Sequence, residues 1–130
     1  MKVIKRDLSG DFKEITLYAI ADTHWSDPNS NHKRIMDDIA YIRDTPNVFC
    51  VLNGDLMNCA IKSSISDIYG DTLSPMQELA KCVEIFAPIA PKTICVVPGN
   101  HDYGVDCDVE LDDFIGFYNE FGYSEALTVN

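Results

Sequence analysis

The 130-residue sequence is short of positive charge and of long apolar runs. Ten lysine and arginine residues stand against 21 aspartate and glutamate residues, which gives a net charge of −11. Proteins that hold long stretches of nucleic acid usually carry a basic stripe, so extended nucleic-acid binding is not expected. No apolar run reaches the roughly 20 residues of a membrane-spanning helix, and no membrane partner is expected either.

The cysteines and the N-terminus show two further absences. None of the five cysteines belongs to a Cys-x-x-Cys pair, so neither a disulfide framework nor a thiolate zinc site is indicated. Residues 1–6 turn polar without the apolar stretch of a signal peptide. These features predict a cytoplasmic protein.

The sequence does contain a regular alternation of strand-like and helix-like segments. Residues 2–7 and 14–20 flank a short polar turn and predict an N-terminal hairpin. Residues 48–52 and 93–97 are apolar runs of strand length, typical of buried parallel strands. Crossovers as long as the ones between these strands predict a parallel sheet, and therefore a single α/β domain.

Three helices are predicted along the same stretch. The first begins near Asn31 and carries isoleucines at helical spacing, namely Ile35, Ile39 and Ile42. The second begins at Ser74, where serine, proline and Gln77 form a capping-box pattern. Its predicted apolar stripe consists of Met76, Leu79, Ala80, Val83 and Phe86. The third helix is expected at about residues 109–121.

Polar motifs follow the three predicted strands in order: Asp22-x-His24, Gly54-Asp55 and Gly99-Asn100-His101-Asp102. Taken singly, each motif is typical of a turn or a helix cap. The carboxyl ends of parallel strands, however, meet at one edge of the sheet, where α/β proteins place their sites. The ordered set therefore favours one functional site over three unrelated turns.

The residue types in these motifs suit divalent metal ions, which prefer carboxylate and amide oxygens together with neutral imidazole. Asp22 and His24, two apart on an extended segment, project to the same side and can bind one ion. Asp55 is suited to bridge two ions about 3.5–4 Å apart. Asn100 offers a neutral oxygen to the second ion.

The remaining residues of the motifs suggest supporting roles. His101 is free to donate a proton to a leaving alkoxide, and Asp102 is placed to orient and charge it. Gly54 and Gly99 allow the backbone to turn sharply and approach the metals. Trp25, directly after His24, either flanks a substrate or packs against the loop.

These motifs resemble the signature of the calcineurin-like metallophosphoesterase superfamily, and the resemblance covers nearly the whole chain. Residues 53–58, 62–69 and 97–102 look most like members from phages and prophages. The resemblance implies hydrolysis of phosphomonoesters or phosphodiesters by water activated at two divalent ions. Manganese is the first expectation, with iron, zinc, magnesium or nickel as alternatives.

By the same resemblance, Asp22 and His24 bind the first metal, Asp55 bridges, and Asn100 binds the second. His101 then protonates the leaving group, with Asp102 behind it.

The sequence departs from the family pattern at two places. Asn58 stands where many members have aspartate, which implies a position behind the metal ligands. The family continues with a further histidine and a Gly-His-x-His motif from a second sheet, but no histidine follows His101. The resemblance therefore implies the N-terminal half of an αββα sandwich, a single and truncated domain over residues 1–130. A second copy or a complementing C-terminal segment would cover its apolar sheet face.

Two alternative functions stay open. A metal-dependent DNA nuclease acting on phage or host DNA predicts basic loops around the site. Whichever function holds, the expected location is the cytoplasm, that of the host if a phage encodes the protein. A non-catalytic metal-binding or assembly module predicts no turnover even with excess manganese.

Overall fold

The computed structural model describes residues 3–58, 74–104, 107 and 109–123. The elements in chain order are β1 (Thr16–Ile20), α1 (His32–Asp44), β2 (Val48–Asn53), α2 (Pro75–Phe86), a 3₁₀ segment (Ala87–Lys92), β3 (Thr93–Val97) and α3 (Leu111–Glu120). The three strands form one sheet in the order β1-β2-β3, and both pairings are parallel. The predicted α/β fold with parallel strands and crossover helices is confirmed.

Side chains of the central strand β2 pack against the helices. Val48, Cys50 and Leu52 are buried in one apolar cluster. The same cluster contains residues of α1 and α2, including Ile35, Ile39, Ile42, Leu79, Val83 and Phe86. On the opposite face, Leu17 of β1 is 56% exposed, because the described helices pack against the other side of the strand.

The N-terminal hairpin prediction is wrong. Residues 3–15 contain no strand, and β1 pairs only with β2 in the part of the chain that the structure describes. The segment folds over the beginning of β2 instead. Phe12 packs edge-on against Phe49 with 5.7 Å between ring centroids. Arg6 donates to the Pro91 carbonyl at 2.8 Å and lies over the same Phe49 ring. These contacts tie the segment to β2 and to the 3₁₀ segment.

Both crossover helices begin where the sequence predicts. The Asn31 side chain caps α1 by accepting from the Arg34 N–H at 3.0 Å. Ser74 and Gln77 form the capping box of α2. The inward face of α2 differs from the predicted stripe, however, because Met76 and Ala80 are exposed. The buried position in its first turn belongs to Glu78.

The cysteines differ among themselves. Cys50 and Cys82 are buried and free, and burial raises the pKa of both thiols. Cys107 is disulfide-bonded, which the spacing of the cysteines did not indicate. No helix in the described ranges has the length and apolar character needed to span a membrane.

Candidate metal centre

The loops that follow β1 and β2 lie side by side at the carboxyl edge of the sheet. Three backbone hydrogen bonds continue the parallel pairing beyond the strands. Asp22 N–H donates to the Gly54 carbonyl at 3.0 Å, and His24 N–H donates to the Asp55 carbonyl at 3.1 Å. Trp25 N–H donates to the Leu56 carbonyl at 3.0 Å. The first two motifs are therefore held in a fixed register.

The third motif closes onto the second. His101 N–H donates to Oδ1 of Asp55 at 3.0 Å, so the third loop binds the carboxylate expected to bridge two ions. Gly99 makes this approach sterically feasible, because a Cβ at that position would lie 2.1 Å from Oδ1 of Asp55. The carboxylate of Asp55 thus occupies space that any other residue at position 99 would fill.

The backbone is unusual at the residues predicted to bind metal. Among the described non-glycine residues, φ is positive only at Asp22 (54°), His24 (41°) and Asp55 (50°). Such conformations cost roughly 1–3 kcal/mol each and cluster at functional sites. The local hydrogen bonds hold the three residues in this region, which turns their side chains out of the ordinary strand alternation and toward one another.

The three side chains form a group that suits a divalent cation. Asp22, His24 and Asp55 each offer one ligand atom, and these atoms lie within 4.8 Å of one another. Nε2 of His24 is 3.7 Å from Oδ1 of Asp22, too far for a hydrogen bond. Two ligands at about 2.1 Å from one tetrahedral ion are separated by roughly 3.4 Å. The donor set and its spacing therefore fit a hard or borderline divalent ion.

The second nitrogen of His24 does not complete this arrangement. Nδ1 of His24 is buried and has no hydrogen-bond partner. Metal-binding histidines usually donate their other ring N–H to a carboxylate, carbonyl or water, which fixes the ring. The residues described here leave that donor unsatisfied.

The residues on either side of Asn100 bring its backbone close to the group formed by Asp22, His24 and Asp55. Asn100 belongs to the turn closed by the bond from Asp102 N–H to the Gly99 carbonyl at 3.1 Å. Its side chain is exposed, whereas the residues on both sides contact Asp55. Binding of a second ion by Asn100 stays a prediction.

The His101 ring is oriented by a backbone carbonyl. Nδ1 of His101 lies 3.0 Å from the Asn58 carbonyl oxygen. Because a carbonyl only accepts, Nδ1 must carry the hydrogen, and Nε2 is the nitrogen left for chemistry. The ring packs edge-on against His24, with 4.9 Å between centroids, so it borders the group formed by Asp22, His24 and Asp55.

Asp102 bonds backbone N–H groups, whereas the His101 ring bonds the Asn58 carbonyl. A role of Asp102 behind His101 in catalysis stays a prediction. The two carboxylate oxygens of Asp102 accept backbone N–H groups, from Met57 at 3.0 Å and from Gly99 at 2.7 Å. Burial raises the pKa of Asp102 to about 6, and these two hydrogen bonds act against that rise. Asp102 ties the third loop to the second, and Asn58 orients the ring.

The sequence reading missed Glu78. This residue is 0% exposed. Its carboxylate accepts from the Ser26 hydroxyl at 2.7 Å, from the Ser26 N–H at 3.2 Å and from the Asn58 N–H. A signal was present, because position 78 lies one helical turn before the buried Cys82 and hence on the same face of α2.

A cleft of about 550 Å³ begins at Asp22 and His24 and is lined by residues of β1 and α1. Asp22, His24 and Asn58 line one end, and Arg34 and Asp38 line it further along α1. Trp25 is not among the lining residues. It is buried and stacks on His32 at 3.7 Å, which is the packing alternative of the two considered for it.

A parallel α/β sheet with carboxylates and imidazoles gathered at its carboxyl edge is typical of metal-dependent hydrolases. The family model for calcineurin-like phosphoesterases matches residues 15–129, and the chain belongs to that family. No curated protein sequence matches the chain. Membership implies metal-dependent hydrolysis of phosphate esters. A phage-type subfamily stays a prediction, and residues 62–69, which contributed to it, lie outside the described residues.

Proposed function

We propose that this protein hydrolyses a small phosphate monoester or diester with the help of two divalent metal ions. One observation carries the proposal: among the described non-glycine residues, those with left-handed backbone, Asp22, His24 and Asp55, are also those whose ligand atoms converge. Strain concentrated on three residues with converging ligand atoms is typical of a functional site such as a metal centre.

The metal-binding roles follow from the ligand set. Asp22, His24 and Asp55 would hold the first ion, and Asp55 and Asn100 would hold the second. Divalent ions at this place supply Lewis acidity at the phosphoryl oxygens and lower the pKa of water, with Mn²⁺ our first choice. Because the second ion has only two of these ligands, we expect others from a further segment or a second copy.

His101 would act on the leaving group. Its Nδ1–H is held by the Asn58 carbonyl at 3.0 Å. In the protonated ring, Nε2 also carries a hydrogen and can donate it to the departing oxygen. The edge-on packing against His24 keeps the ring beside the ligand group while this proton moves.

The cleft favours a small ester over a nucleic-acid strand. Its volume of about 550 Å³ lies within the 300–1,000 Å³ typical of small-molecule sites. Arg34 is the single lysine or arginine among the described lining residues. Its Nε bonds both oxygens of Asp38 at 3.2 Å. A nuclease would instead need several free cations along a phosphate backbone.

Hydrolysis of p-nitrophenyl phosphate and bis-p-nitrophenyl phosphate tests the proposal. Purified chain would be assayed with Mn²⁺, with the alternative metals and with a chelator. We expect metal-dependent turnover that falls more than about 100-fold in Asp55→Ala, beyond the usual effect of residues behind the ligands. Asp37→Ala is the matched control, because Asp37 is an exposed carboxylate paired with Lys33 on α1.

Absence of turnover with every metal, in a chain shown to be folded, would contradict the proposal. A non-catalytic metal-binding module would then be the better account. Preference for the diester or the monoester would rank the two substrate classes.

A further inference from the structure

The buried carboxylate of Glu78, on α2, bonds the loops that carry His24 and Asp55. Glu78 belongs to the first turn of α2, yet it is fully buried. Moving a carboxylate out of water costs several kcal/mol unless hydrogen bonds replace its hydration. Such a residue requires a structural or functional reason, since an apolar side chain would suit an ordinary core position better.

Among the described residues, the donors to Glu78 include groups from two different loops. Ser26 offers both its hydroxyl and its N–H, and it lies two residues after His24. Asn58 offers its N–H and lies three residues after Asp55. One carboxylate therefore links the loop that carries His24 to the loop that carries Asp55.

The connection reaches the third loop as well. Asn58, whose N–H is bound by Glu78, uses its carbonyl to accept from Nδ1 of His101. A displacement of Asn58 would move the acceptor that orients the His101 ring. Glu78 is thus linked to the first two loops through Ser26 and Asn58, and through the Asn58 carbonyl to the His101 ring.

We infer that Glu78 is a positioning residue that holds the three loops of the metal centre in register through Ser26 and Asn58. The inference rests on the proposed function, because it assigns Glu78 a part in metal binding and hydrolysis. It predicts that Glu78 controls metal affinity and the state of the His101 ring, beyond any effect on stability.

Two substitutions at position 78 distinguish a role in positioning the loops from a contribution to the stability of the fold. Glu78→Leu keeps the volume but removes the acceptors. Glu78→Gln keeps one acceptor oxygen, and its amide group can donate to the Ser26 hydroxyl oxygen. Glu84→Gln is the matched control, because Glu84 is an exposed glutamate on the same helix. Thermal unfolding identifies the variants that fold.

Mn²⁺ affinity measured by calorimetry is the first readout. We expect the dissociation constant to rise about 10- to 100-fold in Glu78→Leu, the range seen for residues behind metal ligands. Glu78→Gln should recover most of the wild-type affinity, and Glu84→Gln should equal the wild type. In the assay with saturating Mn²⁺, kcat should fall in Glu78→Leu while KM changes less.

Nitrogen NMR of the metal-free chain is the second readout. The His101 nitrogen shifts should report a protonated Nδ1 in the wild type and a mixture of tautomers in Glu78→Leu. If Glu78→Leu folds with wild-type Mn²⁺ affinity and unchanged His101 shifts, the inference is overturned.

If Glu78→Leu does not fold, Ser26→Ala is the second test, because it removes the hydroxyl donor alone. We expect it to weaken Mn²⁺ binding about 2- to 10-fold, and wild-type values for that variant would also overturn the inference.

The experiments distinguish a failure of the inference about Glu78 from a failure of the proposed hydrolytic function. Mn²⁺ binding that depends on Glu78 in a chain that hydrolyses no ester would contradict the proposed function and support this inference. If the wild-type chain binds no Mn²⁺, the His101 shifts of the metal-free variants decide.

Discussion

The helical side of the sheet and its carboxyl edge both contain buried side chains, but these are of opposite kinds. On the helical side, Ile39, Leu52 and Phe86 belong to one apolar cluster and are almost wholly buried. At the carboxyl edge, the buried side chains include the carboxylates of Glu78 and Asp102. The left-handed non-glycine residues of the described chain lie there too.

This difference indicates how the protein divides stability from function. Apolar burial on the helical side stabilises the fold by roughly 25 cal/mol per Å². The carboxyl edge contributes less, because strained backbone and buried charge both oppose folding. Stability supplied by the first region allows the second to hold an arrangement that would not persist alone. Three substitutions test this division, from the largest expected effect to the smallest.

The largest effect is expected at His101. His101→Ala should lower kcat by about 10²–10⁴-fold, because positioned proton donors contribute that much. Its unfolding free energy should change little, since the ring is half-buried and makes one hydrogen bond to a carbonyl. Steady-state kinetics and urea denaturation would measure the two effects.

His32→Ala is the matched control for that prediction. His32 stacks on Trp25 and approaches its carbonyl at 2.6 Å, so its loss should lower stability and leave kcat near the wild-type value. A large drop in kcat for both variants would mean that the assay reports folding rather than proton donation.

An intermediate effect is expected at Ile39, in the centre of the helical side. Ile39→Ala should destabilise the protein by about 2–5 kcal/mol, through lost burial and the cavity left behind. Mn²⁺ affinity of the remaining folded protein should stay unchanged. Met36→Ala on the exposed face of α1 should stay within about 0.5 kcal/mol of the wild type. If Ile39→Ala weakened Mn²⁺ binding as strongly as it weakened folding, stability and metal binding would not be divided between the helical side and the carboxyl edge.

The smallest of the three effects is expected at Asp22, and it is a gain in stability. Asp22→Gly removes an exposed carboxylate and relieves a positive φ, so unfolding free energy should rise by up to about 1 kcal/mol. Mn²⁺ binding should be weakened at the same time. Calorimetric unfolding and Mn²⁺ titration of the same sample would show both changes. A loss of stability instead would mean that Asp22 does not carry strain.

Local patterns predicted much of the fold, because the features involved lie within a few residues of one another. The isoleucines of α1 are buried at the predicted spacing. The capping box at Ser74 forms as its four-residue pattern indicates. The N-terminal hairpin was predicted by the same kind of reasoning and is wrong, because the contacts of Arg6 with Pro91 and of Phe12 with Phe49 are distant in sequence.

The candidate site shows the same limit at the level of single residues. The convergence of Asp22, His24 and Asp55 was predictable, since each follows a strand of one parallel sheet. The roles of the residues around them were not. Asp102 bonds backbone N–H groups instead of the His101 ring, and Asn58 takes its place as the partner of that ring.

The sequence by itself determined the family-type motifs, the order of strands and helices, and the residue types that meet at the sheet edge. These depend on local periodicity and on the rule that parallel strands end together. Only the tertiary structure decided which buried carboxylates hold the loops and which carbonyl orients His101. Glu78 acquires its partners from segments 20 and 52 residues away, and a hydrogen bond across that separation depends on packing that no local pattern encodes.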